Sequence, residues 1–214
     1  MTSLQNMLLI VVLITDLTMA ANSRLGTCIN ITAIQGFALG FLPLAIGLEK
    51  GMNFELVAIA VIGIALRGIL FPYILHRSLL NSGTSRELKP IVGYFLSVAI
   101  VLVLIFASLW ISIRIDFIAP QLLLLSTVAL STIFAGTFFI VGRRLAIMQI
   151  LGYILLENGI YCMGLAFVQD IPMIVELGVL FDAIVAVFVM SVATNKIHEE
   201  FEHFDIQKLD SLKG

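Results

Sequence analysis

Long apolar runs separated by short polar breaks dominate the chain. Seven can be counted, at residues 5–21, 29–48, 54–75, 91–113, 118–141, 145–168 and 171–194. The first is the shortest, and the other six have 20 to 24 residues, enough to cross a hydrocarbon core ~30 Å thick. Asn22-Ser23-Arg24, Glu49-Lys50-Gly51, the Asn81 to Arg86 stretch, Pro120, Gly142-Arg143-Arg144 and Pro172 break the pattern where turns are expected. Runs this long are far beyond a barrel strand, and a spanning chain must satisfy its own backbone. The expected fold is therefore all-α: a polytopic bundle of about seven transmembrane helices.

Composition agrees with the pattern. Of 214 residues 60% are hydrophobic and only 12% charged, with a mean hydropathy of +1.11, whereas a soluble domain has about 25% charged residues. No polar stretch outside the runs is long enough for a soluble domain, so the chain reads as one integral membrane domain. A formal charge of −2 implies neither a nucleic-acid partner nor an acidic substrate. The first run has no basic flank ahead of it and contains Asp16, which reads as a retained helix rather than a signal peptide. Cys28 and Cys162 make no disulfide or metal pattern and read as small buried hydrophobes.

Basic residues orient the bundle. With seven spans, Arg24, Arg77, Arg86, Lys89, Arg143, Arg144, Lys196, Lys208 and Lys213 collect on one side. Lys50 and Arg114 take the other, and Arg67 is left inside. Such a bias places the amino terminus outside and the carboxyl terminus in the cytoplasm. The tail from His198 to Asp205 is acidic with interspersed aromatics, and is either a solvated tail or a strip that docks on a partner subunit. Gly36 and Gly40 form a small-xxx-small pattern that allows close approach of a neighbouring helix.

Five ionisable residues fall within the runs: Asp16, Arg67, Glu157, Glu176 and Asp182. Glu176 lies close enough to its helix start to reach the outer interface. Asp16 lies beside Thr15 and Thr18, whose hydroxyls can solvate it. Arg67 is deep and always charged, so it needs a carboxylate, backbone carbonyls or water, or must snorkel. Glu157 lies 13 residues from both Arg144 and Asp170, about 20 Å from either flank. Asp182 matches it in depth on the next helix. A carboxylate at the midplane is costly, so a functional role is the default hypothesis. Two deep acids with one deep cation suit a proton or charge relay; a static ion pair holding helices in register is the alternative.

Helical spacing extends this set. Gln149, Tyr153, Glu157 and Tyr161 recur every four residues and share one face, a polar stripe expected to look into the bundle or onto a partner. The three histidines, His76, His198 and His203, lie at boundaries or in the tail, so no pair is placed to hold a haem. Neither an iron–sulfur cysteine cluster, a P-loop, a Rossmann glycine pattern nor a Ser-His-Asp set is present. No catalytic site, cofactor or metal site is expected.

The segments Gly152-Tyr-Ile-Leu-Leu-Glu-Asn-Gly159, Val175 to Met190 with Glu176 and Asp182, and Leu209 to Gly214 resemble the hydrogenase-4 component E family. These are membrane subunits of group-four nickel–iron hydrogenases and formate hydrogenlyase-type complexes, and the resemblance covers the whole chain, Arg67 included. Residues 143–214 are also similar to the K subunit of respiratory complex I and the C subunit of multisubunit cation/proton antiporters. Arg143, Arg144 and Gly152 match that pattern; Glu157 stands three residues beyond the family's glutamate, and Asp182 replaces its second. The implied organisation is five N-terminal helices in residues 1–142 followed by a K-subunit-like pair with an acidic tail in 143–214. The resemblance implies a non-catalytic subunit of a redox-driven, proton-translocating complex in the inner (plasma) membrane. Its partners would be antiporter-like subunits, a complex-I-H-like subunit, and soluble nickel–iron and iron–sulfur proteins. Glu157 and Asp182 would relay protons and Arg67 would tune them, with Gln149, Tyr153, Tyr161, Glu176 and Asp16 as accessories. A structural scaffold in the same complex and a free-standing ion transporter are the other readings, the last disfavoured by the want of an inverted repeat.

Overall fold

The computed structural model describes residues 3–52, 54–82, 90–115 and 120–167. Within them all regular structure is helical. The helices are α1 (Ser3–Ala21), α2 (Leu25–Lys50), α3 (Phe54–Gly63), α4 (Phe71–Ser82), α5 (Tyr94–Arg114), α6 (Leu123–Gly142) and α7 (Ala146–Phe167). A π-helical segment, Ile64–Leu70, joins α3 to α4, and a short 3-10 turn, Pro120–Leu122, precedes α6. Since α3, the π segment and α4 run on as one rod, six helices are long and apolar enough to cross a membrane. They coincide with the first six apolar runs. The seventh, 171–194, lies outside the described residues, together with Glu176, Asp182 and the acidic tail.

Two spans depart from the plain helices expected. Pro43 sits inside α2, where it deletes one backbone donor without ending the helix. The third span changes to π geometry for one and a half turns around Arg67. Such insertions widen the helix locally and are often found at functional positions.

Packing follows a ring. Helices α1, α2, α7 and α6 neighbour one another in that cyclic order, with α6 and α7 the most extensive pair. The third span lies along the outside of α2, and α5 lies against α1 and α6. Antiparallel registers are readable from single contacts. Gln5 Nε2 donates to the Ala45 carbonyl at one end of the α1–α2 pair, while Thr32 meets Met19 towards the other.

Lipid tails give apolar helices no reason to prefer each other over solvent, so close backbone approach must hold the pairs together. Between α6 and α7, a Cβ on Gly152 would stand 2.8 Å from Phe139 Cβ and 2.9 Å from the Gly136 carbonyl oxygen. One on Gly159 would meet Ile133 N at 2.6 Å. Gly36 and Gly40 do the same for α2, lying against the Arg67 backbone and Ile64 of the π segment. The small-xxx-small pattern therefore has a definite partner, the irregular part of the third span.

One end of the bundle is tied together by Arg143. This residue ends α6 in extended conformation (φ −113°, ψ 147°), and α7 begins three residues later. Its side chain is fully buried. Nη2 donates to the Ala20 carbonyl near the end of α1 at 3.2 Å, and the guanidinium lies 4.9 Å from the Tyr94 ring centre and 5.4 Å from that of Phe139. A cation is favoured there because helix carboxyl ends carry orphan carbonyls and partial negative charge. Gln149 Nε2 donates back to the Arg143 carbonyl at 3.0 Å and so closes the α6–α7 turn. Arg144 points outward.

Two expectations follow for purified protein in detergent, read by denaturant or thermal unfolding. Gly136→Ala should cost about 1–3 kcal/mol by overpacking the α6–α7 contact, whereas Gly93→Ala, with nothing within 4 Å of the added carbon, should be close to neutral. Arg143→Ala should cost about 1.5–3 kcal/mol, the range for a hydrogen bond to a charged group, and Arg144→Ala about half a kcal/mol or less.

Candidate functional site

The centre of the four-helix ring is polar, and each helix supplies one residue to it. Asp16 of α1, Gln35 of α2, Thr132 of α6 and Asn158 of α7 are each at most 1% exposed. Gln35 Nε2 donates to Asp16 Oδ1 at 2.8 Å, and Thr132 Oγ1 donates to Asp16 Oδ2 at 2.8 Å. Asn158 Nδ2 donates to Gln35 Oε1 at 3.2 Å. An ionised carboxylate only accepts, so the atom of Gln35 that faces it must be the amide nitrogen. That choice turns the Gln35 oxygen towards α7 and obliges Asn158 to present its own nitrogen. Every donor in the chain thus points towards Asp16.

Thr15 and Thr18 do not solvate Asp16, contrary to the expectation from adjacency. Their hydroxyls return to the Val12 and Thr15 carbonyls of their own helix, the usual resort of a hydroxyl within a helix. Asp16 is served instead by residues 19 and 116 positions away.

A second cluster adjoins the first. Arg67 is 5% exposed, with its guanidinium carbon 4.1 Å from the centre of the Tyr161 ring, an arrangement in which the negative ring face attracts the cation. Its Nη1 comes within 3.4 Å of where a Cβ on Gly63 would stand, so the side chain lies back along its own helix over a residue that leaves room for it. Arg67 therefore does not snorkel to an interface. Glu157, 4% exposed, is one turn before Tyr161 on the same face of α7. Cys162, one turn after Asn158, is buried and free, and lies within electrostatic reach of both Asp16 and Arg67. α7 hence carries two adjacent polar faces, Asn158 with Cys162 and Glu157 with Tyr161.

The anticipated stripe on α7 enters the protein gradually. Gln149 is exposed, Tyr153 half-buried, and Glu157 and Tyr161 buried. Gln149 is engaged with the Arg143 carbonyl, a turn-closing role. Asp182 and Glu176 lie outside the described residues. Sequence reasoning singles out none of Gln35, Asn158 and Thr132, and takes Arg143 for a flanking basic residue that matches the K-subunit pattern rather than a buried one. For the two amides a signal existed: each lies nine or more residues from either end of an apolar helix, where an unsatisfied amide costs several kcal/mol.

No family model matches the chain, and no solved structure matches it. Among curated proteins it is 28% identical over 187 residues to the uncharacterized protein Rv0085 of Mycobacterium tuberculosis, a match covering 86% of this chain and 84% of that one. It is 38% identical over 87 residues to hydrogenase-4 component E of Escherichia coli, covering 41% of this chain. The equivalent protein of Shigella flexneri matches to the same extent. In both, the matched stretch spans 40% of the relative's length.

Proposed function

We propose that this chain is a non-catalytic subunit of a redox-driven, proton-translocating complex of the hydrogenase or formate hydrogenlyase type, in which Glu157 is a proton-relay residue. The single observation that carries the reading is Glu157 itself. It is a carboxylate buried at 4% exposure halfway along an apolar spanning helix, one turn from a tyrosine that holds a buried arginine. A group so placed must be neutral, paired or hydrated, and intramembrane acids of this kind mark ion pathways. The 38% identity to hydrogenase-4 component E over 41% of the chain supports the class of complex. Asp182 is the intended second acid and Arg67 the cation that tunes both, with Tyr153, Tyr161, Glu176 and Asp16 as accessory groups. The proposed setting is the inner membrane, with the amino terminus outside. The proposed neighbours are antiporter-like and complex-I-H-like membrane subunits and a soluble nickel–iron and iron–sulfur arm.

A scaffold role is favoured by a different observation. Each Asp16 oxygen accepts one hydrogen bond within the ring, and a buried carboxyl held in this way suits helix register as well as transport. The two readings part at Glu157→Gln. Under the relay reading, the variant assembles and sustains electron transfer, but the rate of proton uptake by sealed vesicles falls at least about tenfold, equivalent to ~1.4 kcal/mol or more on the rate-limiting transfer. Unimpaired proton translocation by that variant would end the relay reading, and loss of assembly instead would favour the scaffold.

A further inference from the structure

The junction in the four-helix ring admits two hydrogen-bond arrangements that use the same heavy-atom positions. In the one described, donors run from Asn158 through Gln35 to Asp16. This leaves Asn158 Oδ1 buried without a hydrogen-bond partner among the described residues, and a half-turn of that amide would exchange it with Nδ2 in the unpaired position. Suppose one proton is added to Asp16 at Oδ1. That oxygen becomes a donor, and the Gln35 nitrogen facing it becomes an N–H opposed to an O–H. Half-turns of the Gln35 and Asn158 amides relieve the clash. Asp16 then donates to Gln35 Oε1, and Gln35 Nε2 donates to Asn158 Oδ1. Thr132 continues to donate to Oδ2. Three hydrogen bonds exist in both arrangements, and no covalent bond between heavy atoms changes. The two ends of a side-chain amide have nearly the same shape, so either orientation fits the same space.

We infer that Asp16, Gln35 and Asn158 form a protonation-driven switch, in which the charge state of Asp16 sets the direction of the Asn158 dipole beside Glu157. Gln35 and Asn158 are positioning residues in this device and carry no proton themselves. The inference rests on the relay reading only in its last step, the effect on Glu157.

The surroundings suit a two-state element. α6 carries no titratable residue, α5 only Tyr94 and Arg114 at its ends, and α2 only Cys28 and the terminal Glu49 and Lys50. From α7 the titratable group that faces Asp16 is Cys162, and beyond it stands Arg67 of the third span. Among the described residues the groups that bond Asp16 directly, Gln35 and Thr132, are neutral, so its charge state can be read out through dipole direction.

The direct test uses the full chain in lipid vesicles with isotope-labelled glutamine, asparagine and aspartate side chains, followed by solid-state NMR. On the alkaline side Gln35 Nε2 should contact the Asp16 carboxyl carbon; on the acid side it should contact the Asn158 amide carbon. The switch is overturned if Asp16 keeps one charge state throughout, or if it takes up its proton on the Thr132 side while the Gln35 amide stays put. A second measurement follows Glu157 through its infrared carboxyl band. Asp16→Asn should change the Glu157 proton affinity by about threefold or more, half a pH unit, and this change should vanish when Gln35→Leu breaks the chain. Persistence of the shift in the Gln35→Leu background would show plain through-space electrostatics and sink the coupling. Turning of the Gln35 amide with no titration of Glu157 would uphold the switch and remove the relay. Titration of Glu157 with a fixed Gln35 would do the reverse.

Discussion

The hydrocarbon interior offers no hydrogen-bond partner, and the whole arrangement depends on that constraint. A single carboxylate on α1 cannot be left to water at the centre of a helix ring, so the helices around it must bring the donors. Gln35 and Thr132 do so from α2 and α6, and Asn158 completes Gln35 from α7. Each bond crosses a helix boundary. The junction therefore specifies which four helices form the inner ring, and at what register, in a medium where apolar side chains discriminate poorly between neighbours. Its cost is not small, but any displacement of one helix would strand a buried polar group worth several kcal/mol.

Glycine gives the same result by a different route. Gly136, Gly152 and Gly159 bring α6 and α7 into backbone contact, and Gly36 and Gly40 bring α2 onto the π segment. The second of these contacts has a consequence for charge. Because α2 approaches the third span so closely, and Gly63 leaves space above it, the Arg67 guanidinium is kept inside and meets Tyr161. Small residues thus do more than close a gap: they decide that a cation stays at depth. Arg143 illustrates the opposite end of the bundle, where a buried guanidinium answers the carbonyls at the end of α1.

Much of this was legible in the residues. Six apolar runs correspond to six helices because length and hydropathy are local properties. Glu157 and Tyr161 are buried on one face of α7, in keeping with their four-residue spacing, whereas Gln149 at the start of that stripe is exposed. What escaped was everything decided between helices. Asp16 stands out by its charge, yet its neighbours in sequence, Thr15 and Thr18, are occupied with their own backbone. Its partners lie on two other helices. Gln35, Thr132 and Asn158 are uncharged, and a neutral polar residue in an apolar run reads as tolerable until its partner is known. Arg143 reads as a flanking basic residue because a residue at a helix boundary usually reaches water; its burial depends on Ala20 and Tyr94, both remote in sequence. The π segment has no comparable signature, since Ile64–Leu70 is as apolar as its surroundings apart from Arg67.

The chemistry of the two polar faces of α7 separates two tasks that are easily conflated. Gln35 and Asn158 are amides, which donate and accept but do not release a proton near neutrality. A chain built from them cannot conduct protons from Asp16 to Glu157, however well it is aligned. It can only turn. Carboxylates and phenols, by contrast, exchange protons, and these occupy the other face, with Glu157 and Tyr161. In the proposed complex the path of protons and the path of coupling are therefore distinct. Protons would move along the Glu157 face, and orientation would move across the ring through the amides. Such a division avoids a difficulty common to buried relays, in which every connected acid offers a leak. A proton held on Asp16 could influence Glu157 without ever reaching it, because the junction passes direction and withholds charge.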